Sequence, residues 1–189
     1  MNPVYLVSSF HRSGSSMMMR CLEAGGMKVR STDAHDSMNI NRADYVPNPN
    51  GFYAPPSDEV IAYPSFYNDT AGKVMKLQRY DFSSLPKASY KIIYLKREPK
   101  EIIASMRKFT PYLSWGHMEC AVYLYDILQP AVIRNIKKRG DTEVLELNYR
   151  EIVESPNKQF QTIRDFGLNI DVDKAAAMVD PALYRLRLE

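Results

Sequence analysis

VYLVSSFHRSGSSMMMRCLEAGG, residues 4–26, begins as an unbroken apolar run, turns through small hydroxyl residues around Gly14, and resumes as an apolar pattern that stops at Gly25-Gly26. The first part, with its β-branched and aromatic residues, reads as a strand covered on both faces. The last part reads as a helix from about Ser15 to Ala24. A strand, a glycine-centred turn and a helix gather backbone N–H groups and hydroxyls at the positive end of a helix dipole, so the turn is suited to an anion. Arg12 adds a permanent charge with a planar donor fork. The alternative is an ordinary turn in which Ser13 or Ser15 merely caps the helix.

Outward from that unit, strand and helix patterns alternate. MKV (27–29), KVMKL (73–77), YKIIYLK (90–96) and TEVLELNY (142–149) read as further strands. Pro99 suits the first position of a helix whose apolar stripe is Ile102, Ile103, Met106 and Phe109. A longer helical pattern runs from about Ser114 to Lys138, with a kink expected at Pro130 and Gly140 placed to end it. Helical patterns return at about 156–166 and 173–179. The alternation predicts a three-layer α/β fold: a mostly parallel sheet with helices on both faces and a P-loop-like phosphate-binding turn after the first strand. A length of 189 residues, 45% of them hydrophobic, suits one domain over 1–189. Residues 32–72 lose periodicity and collect Asn, Asp, Pro and Gly, an insertion too long for a simple connection and of the kind that is often functional.

Several classes are excluded by what the sequence lacks. No apolar run reaches the roughly 18 residues of a membrane span, and residues 1–30 lack the pattern of a signal peptide, so a soluble, cytoplasmic protein is expected. Cys21 and Cys120 lie in apolar helical patterns and are expected to be buried free thiols. A formal charge of +3 is too small for a nucleic-acid footprint, and the basic cluster from Arg134 to Arg139 reads as a solvated helix end. Oligomeric state leaves no signal.

Two familiar anion loops do not fit. A Walker A loop needs a Lys-Ser/Thr pair after its last glycine, whereas Gly14 is followed by Ser15-Ser16. A tyrosine-phosphatase loop needs a cysteine ahead of its glycine, and here Arg12 stands there. HRSGSSMMMRCLEAGG instead resembles the loop of the sulfotransferase family, in which Pro-Lys/Arg-Ser-Gly-Thr-Thr/Ser grips the 5′-phosphosulfate of 3′-phosphoadenosine 5′-phosphosulfate (PAPS). His11 replaces the usual proline.

Two more segments carry the resemblance. YKIIYLKREPKEIIASMRKF is similar to the family's 3′-phosphate site, a strand ending in arginine followed by a helix with serine eight residues later, here Arg97 and Ser105. Both positions can reach the crevice at the carboxyl ends of the strands, where α/β sheets bind ligands. The alternative is that Arg97 pairs with a neighbouring carboxylate. LELNYREIVESP resembles the family's Tyr-Glu-x-Leu-x-x-x-Pro, with Tyr149 in the position near the adenine and Arg150 in place of the acid; core packing is the other reading of Tyr149. Residues 33–53 resemble a bacterial sulfotransferase segment, with Ala54 replacing its final acid.

The resemblance implies transfer of a sulfuryl group from PAPS to a hydroxyl or amine by in-line displacement, releasing PAP, with no metal. No metal-ligand spacing is present either, since His11, His35 and His117 are scattered. It assigns Arg12 to the bridging and 5′-phosphate oxygens, Ser13, Gly14, Ser15 and Ser16 to the cradle, and Lys76 to the sulfuryl group; a solvated strand end is the alternative for Lys76. The family's catalytic histidine position holds Gln78, which cannot take a proton, so the base falls to Asp33, by likeness to the tyrosylprotein branch, or to His35. The acceptor is open among carbohydrate, lipid, small metabolite and protein tyrosine. A noncatalytic PAP-binding domain is the alternative function, and a P-loop kinase a distant third.

Overall fold

The computed structural model describes residues 2–31, 51, 53, 70–78, 82–83, 85–109 and 115–185. Its sheet is built from β1 (Val4–Ser9), β2 (Val29–Arg30), β3 (Val74–Lys76), β4 (Tyr90–Lys96) and β5 (Thr142–Asn148), in the order β2-β3-β1-β4-β5. Every pairing is parallel, with Val7 opposite both Lys76 and Ile93. The helices are α1 (Ser15–Ala24), α2 (Pro99–Phe109), α3 (Trp115–Lys138), α4 (Tyr149–Glu154), α5 (Pro156–Asp165) and α6 (Val172–Ala177), followed by a 3₁₀ turn at Pro181–Leu183.

Side chains alternate across each strand, and the two sheet faces build separate cores. Leu6, Met75, Ile92 and Tyr94 pack with Ile102 and Ile103 of α2 and with Val122, Tyr125, Ile133 and Ile136 of α3. Val7, Val74, Ile93 and Leu95 pack with Met18, Met19 and Leu22 of α1 and with α4, α5 and α6 through Ile152, Phe160 and Ala175. This is the expected three-layer α/β fold. Because α1 follows β1 onto one face and α2 follows β4 onto the other, a crevice opens between the carboxyl ends of these adjacent strands. Arg12 and Arg97 flank it.

Local chemistry moves several boundaries. The second strand starts at Val29 rather than Met27, because the N–H groups of Gly25, Gly26 and Met27 close the end of α1 on Cys21, Glu23 and Leu22 carbonyls. β5 stops at Asn148, whose side chain accepts from the Arg150 N–H and caps α4, so Tyr149 begins a helix instead of ending a strand. α3 runs through Pro130 as one helix.

Two expectations are corrected. Cys120 is exposed on α3, whereas Cys21 is buried and its thiol is pushed up to about 12 by burial. Arg139 is not a solvated helix end: it pairs with Asp141 at 2.9 Å and donates to the carbonyls of Phe82, Ser83, Leu85 and Pro86, tying that turn to the sheet. No helix among the described residues is long and apolar enough to cross a membrane.

Candidate active site

The turn between β1 and α1 is held by two residues with positive φ. Gly14 (φ 91) is the N-cap of α1, and no side chain caps that helix, so Ser13 and Ser15 are not spent as caps. Glycine is required there twice over. A Cβ at Gly14 would lie 2.4 Å from Cδ2 of Tyr149, and the backbone angle itself disfavours any other residue. Arg12 (φ 66) takes the left-handed conformation, at a cost of roughly 1–2 kcal/mol for a residue with a side chain. Its carbonyl accepts from Nη1 of Arg97 at 2.9 Å, and its Nε donates to Ser105 Oγ at 3.0 Å. Arg97 and Ser105 are thus gathered around Arg12, one on its main chain and one on its side chain.

A lysine reaches the turn from another strand. Lys76 and Gln78 stand two apart at the end of β3 and point to the α1 face, as Val74 does. Lys76 Nζ lies 3.3 Å from Ser16 Oγ, and Gln78 Nε2 donates to Ser15 Oγ at 3.3 Å and Ser9 Oγ at 3.5 Å. Lys76 is only 1% exposed, which removes the solvated reading. Burial, reinforced by the charge of Arg12, lowers its pKa to about 7. His11, hydrogen-bonded to Gln78, is held below the ordinary histidine range by desolvation and by the charges of Lys76 and Arg12. It is therefore neutral at neutral pH, and the neighbouring cations disfavour its protonation. Ser13 Oγ is buried with no hydrogen-bond partner among the described residues.

The second half of the site lies between β4 and β5. Arg97 pairs with Glu101 through Nε at 3.0 Å, as the carboxylate alternative anticipated, while keeping its bond to the loop. Its guanidinium sits 4.5 Å from the Tyr149 ring and 5.4 Å from that of Tyr184. Tyr149 is 6% exposed and packed against Gly14, Arg97 and Tyr184. Beside Arg97 a cavity of about 370 Å³ is lined by Lys100, Asn148, Arg150 and Tyr184 among others.

Arg12, Ser13, Gly14, Ser15, Ser16, Lys76, Arg97, Ser105 and Tyr149 therefore fall in one region at the carboxyl ends of β1, β3, β4 and β5. Asp33 and His35 lie outside the described residues, as does nearly all of the insertion. Glu101, Tyr184, His11 and Gln78 belong to the same network; His11 and Gln78 stood in motif positions as departures from the family pattern, and Glu101, four residues after Arg97, carried a spacing signal that went unused.

No protein-family model and no curated protein matches the sequence. Among solved structures, the sulfotransferase domain of the Synechococcus PCC 7002 olefin synthase superposes with a TM-score of 0.53 at 19% identity, covering 100% of this chain and 89% of that one. The chain has the sulfotransferase fold. Retinol dehydratase in complex with androsterone and the inactive cofactor PAP shares it, with a TM-score of 0.50 at 15% identity over 95% of this chain and 64% of that one. A sugar kinase from Janibacter sp. HTCC2649 superposes at 0.49 with 14% identity over 97% of this chain and 98% of that one, too low a score to carry an argument.

Proposed function

We propose that the protein is a PAPS-dependent sulfotransferase that moves a sulfuryl group to a hydroxyl or amine and releases PAP. The observation that carries this reading is the buried Lys76, 1% exposed, reaching the loop hydroxyl of Ser16 at 3.3 Å beside Arg12. A cation held out of water at a glycine turn favours an anion with several oxygens. The orphaned Ser13 Oγ and the close packing of Tyr149 on Gly14 fit a loop that takes a phosphosulfate on its open side. The complex of a same-fold protein with PAP supports the nucleotide half.

In this reading PAPS supplies the sulfuryl group, and the chain supplies position and charge. Sulfuryl transfer, like phosphoryl transfer, needs an in-line acceptor and neutralisation of charge on the bridging oxygen. Ser13, Gly14, Ser15 and Ser16 cradle the 5′ end, Arg12 meets the bridging oxygen, and Lys76 steadies the sulfuryl oxygens. Arg97 and Ser105 take the 3′-phosphate. Tyr149 contributes as the wall that fixes Gly14 and Arg97 behind the nucleotide. Asp33, then His35, is proposed to accept the acceptor's proton. The acceptor class is proposed to be set by the insertion at about 32–72.

Calorimetry with PAP, PAPS and ATP tests this directly. PAP and PAPS are expected to bind, with no ATP hydrolysis. Failure to bind PAP overturns the donor assignment. Transfer of labelled sulfate to any acceptor removes the noncatalytic alternative.

A further inference from the structure

Arg97 is held from several sides. Nε is committed to Glu101 at 3.0 Å and Nη1 to the Arg12 carbonyl at 2.9 Å, while the guanidinium is close to the rings of Tyr149 and Tyr184. Its side chain is 9% exposed, and Nη2 has no hydrogen-bond partner among the described residues. One edge of a fixed donor fork is thus left over, and Arg97 lines the cavity of about 370 Å³.

Glu101 does the fixing, and it is itself fixed by the end of the chain. It is 1% exposed on α2 and receives the hydroxyl of Tyr184 at 2.7 Å on Oε1 and 2.9 Å on Oε2, with Arg150 Nη2 3.7 Å away. Tyr184 reaches it because Asp180 caps the 3₁₀ turn at Pro181–Leu183, which folds the tail back over α2 and α4. A buried carboxylate next to an anion site opposes binding by simple Coulomb repulsion. If it favours binding, it does so by geometry. The two accounts predict opposite signs.

Resting on the donor reading above, we infer that Glu101, clamped by Tyr184, is a positioning residue that aims Arg97 at the 3′-phosphate. Discrimination between a 3′-phosphorylated nucleotide and its 3′-hydroxyl analogue then depends on the C-terminal tail.

The test compares PAP with adenosine 5′-monophosphate by calorimetry, using the unaltered protein, Glu101→Gln and Tyr184→Phe. The unaltered protein is expected to prefer PAP. Glu101→Gln should weaken PAP roughly tenfold, the scale of one hydrogen bond to a charged group, and leave the monophosphate unchanged. Tyr184→Phe keeps the ring over Arg97 and loses only the hydroxyl, so it should show a smaller loss with the same selectivity. It also decides the matter if Glu101→Gln does not fold. Unchanged or tighter PAP binding overturns the inference in favour of plain repulsion, and equal losses for both ligands reduce the pair to a structural role. An unaltered protein that does not favour PAP over the monophosphate overturns the donor reading and the inference together.

Discussion

The two halves of the crevice hold their cations by different means. Around the β1–α1 turn, Lys76 is desolvated and faces Arg12, so its own surroundings work against its charge. Between β4 and β5, Arg97 is matched by the buried carboxylate of Glu101 and close to two tyrosine rings. The first half gains when an anion arrives, because the anion relieves both desolvation and repulsion. The second half is already neutralised and gains less from charge than from fit. In the proposed function, growing charge in the transition state falls to the turn and recognition of a fixed group to Arg97.

The largest effect that would break this division is on rate. Arg12→Ala should lower kcat by roughly 10²–10³, the cost of deleting one preorganised donor, while PAP affinity falls less. Steady-state kinetics with calorimetry on the same variant checks it. Equal losses in kcat and PAP affinity would place Arg12 with the recognition half, where its bond to Ser105 at 3.0 Å already leads.

Next in size is the loss on the other side. Arg97→Ala should weaken PAP by roughly 1.5–3 kcal/mol and spare adenosine 5′-phosphosulfate, which lacks the 3′-phosphate. Competition binding with the two ligands reads the difference. Equal losses would mean that Arg97 matters by supporting the Arg12 carbonyl rather than by meeting a phosphate.

How far the sequence revealed this arrangement follows from the range of each interaction. The β1–α1 unit was legible because its strand, turn and helix signals are contiguous, and Arg97 with Ser105 because one strand-to-helix passage carries both. Position at the end of β3 placed Lys76 near the turn, but its burial follows from the register that sets Val7 beside it, which no local pattern contains. Tyr184 was invisible: it meets Glu101 across 83 positions through a tail whose turn has no apolar periodicity. The short α4 was missed because Tyr149 extends the strand pattern of TEVLELNY past its true end, although Asn148 carries the capping chemistry that starts the helix.

A moderate effect, of a few degrees in Tm, should come from the buried lysine. The unfolded chain holds the Lys76 proton up to about 10.5, whereas the folded protein releases it from about 7, so the unfolded state binds more protons between those values. Stability due to this residue therefore rises with pH across that window, and its cost is fully present below pH 7. Lys76→Met keeps the volume, removes the charge and should raise Tm more at pH 6 than at pH 9 while impairing PAPS binding. Thermal melts at the two pH values decide it. A variant destabilised equally at both would mean that Lys76 contributes more through its hydrogen bonds than it costs through burial, and the contrast between the two halves would lose its basis.

The smallest expected effect is none at all, and it tests both halves at once. The donor carries charge at its 3′-phosphate and along its phosphosulfate, and the proposed site meets the first with Arg97 and the second with Arg12, Lys76 and the start of α1. With Arg12, Lys76 and the start of α1 supplying counter-charge where the bond breaks, a divalent cation is not needed there, so sulfate transfer should proceed at the same rate in EDTA as in added Mg²⁺. Initial rates measured with each, at saturating PAPS, read this out. A strict Mg²⁺ requirement would mean that the turn's cations do not reach the bridging oxygen. Ser15 or Ser16 would then be the natural ligand for the metal, as the hydroxyl after the glycine is in nucleotide hydrolases, and the turn would belong to that chemistry instead.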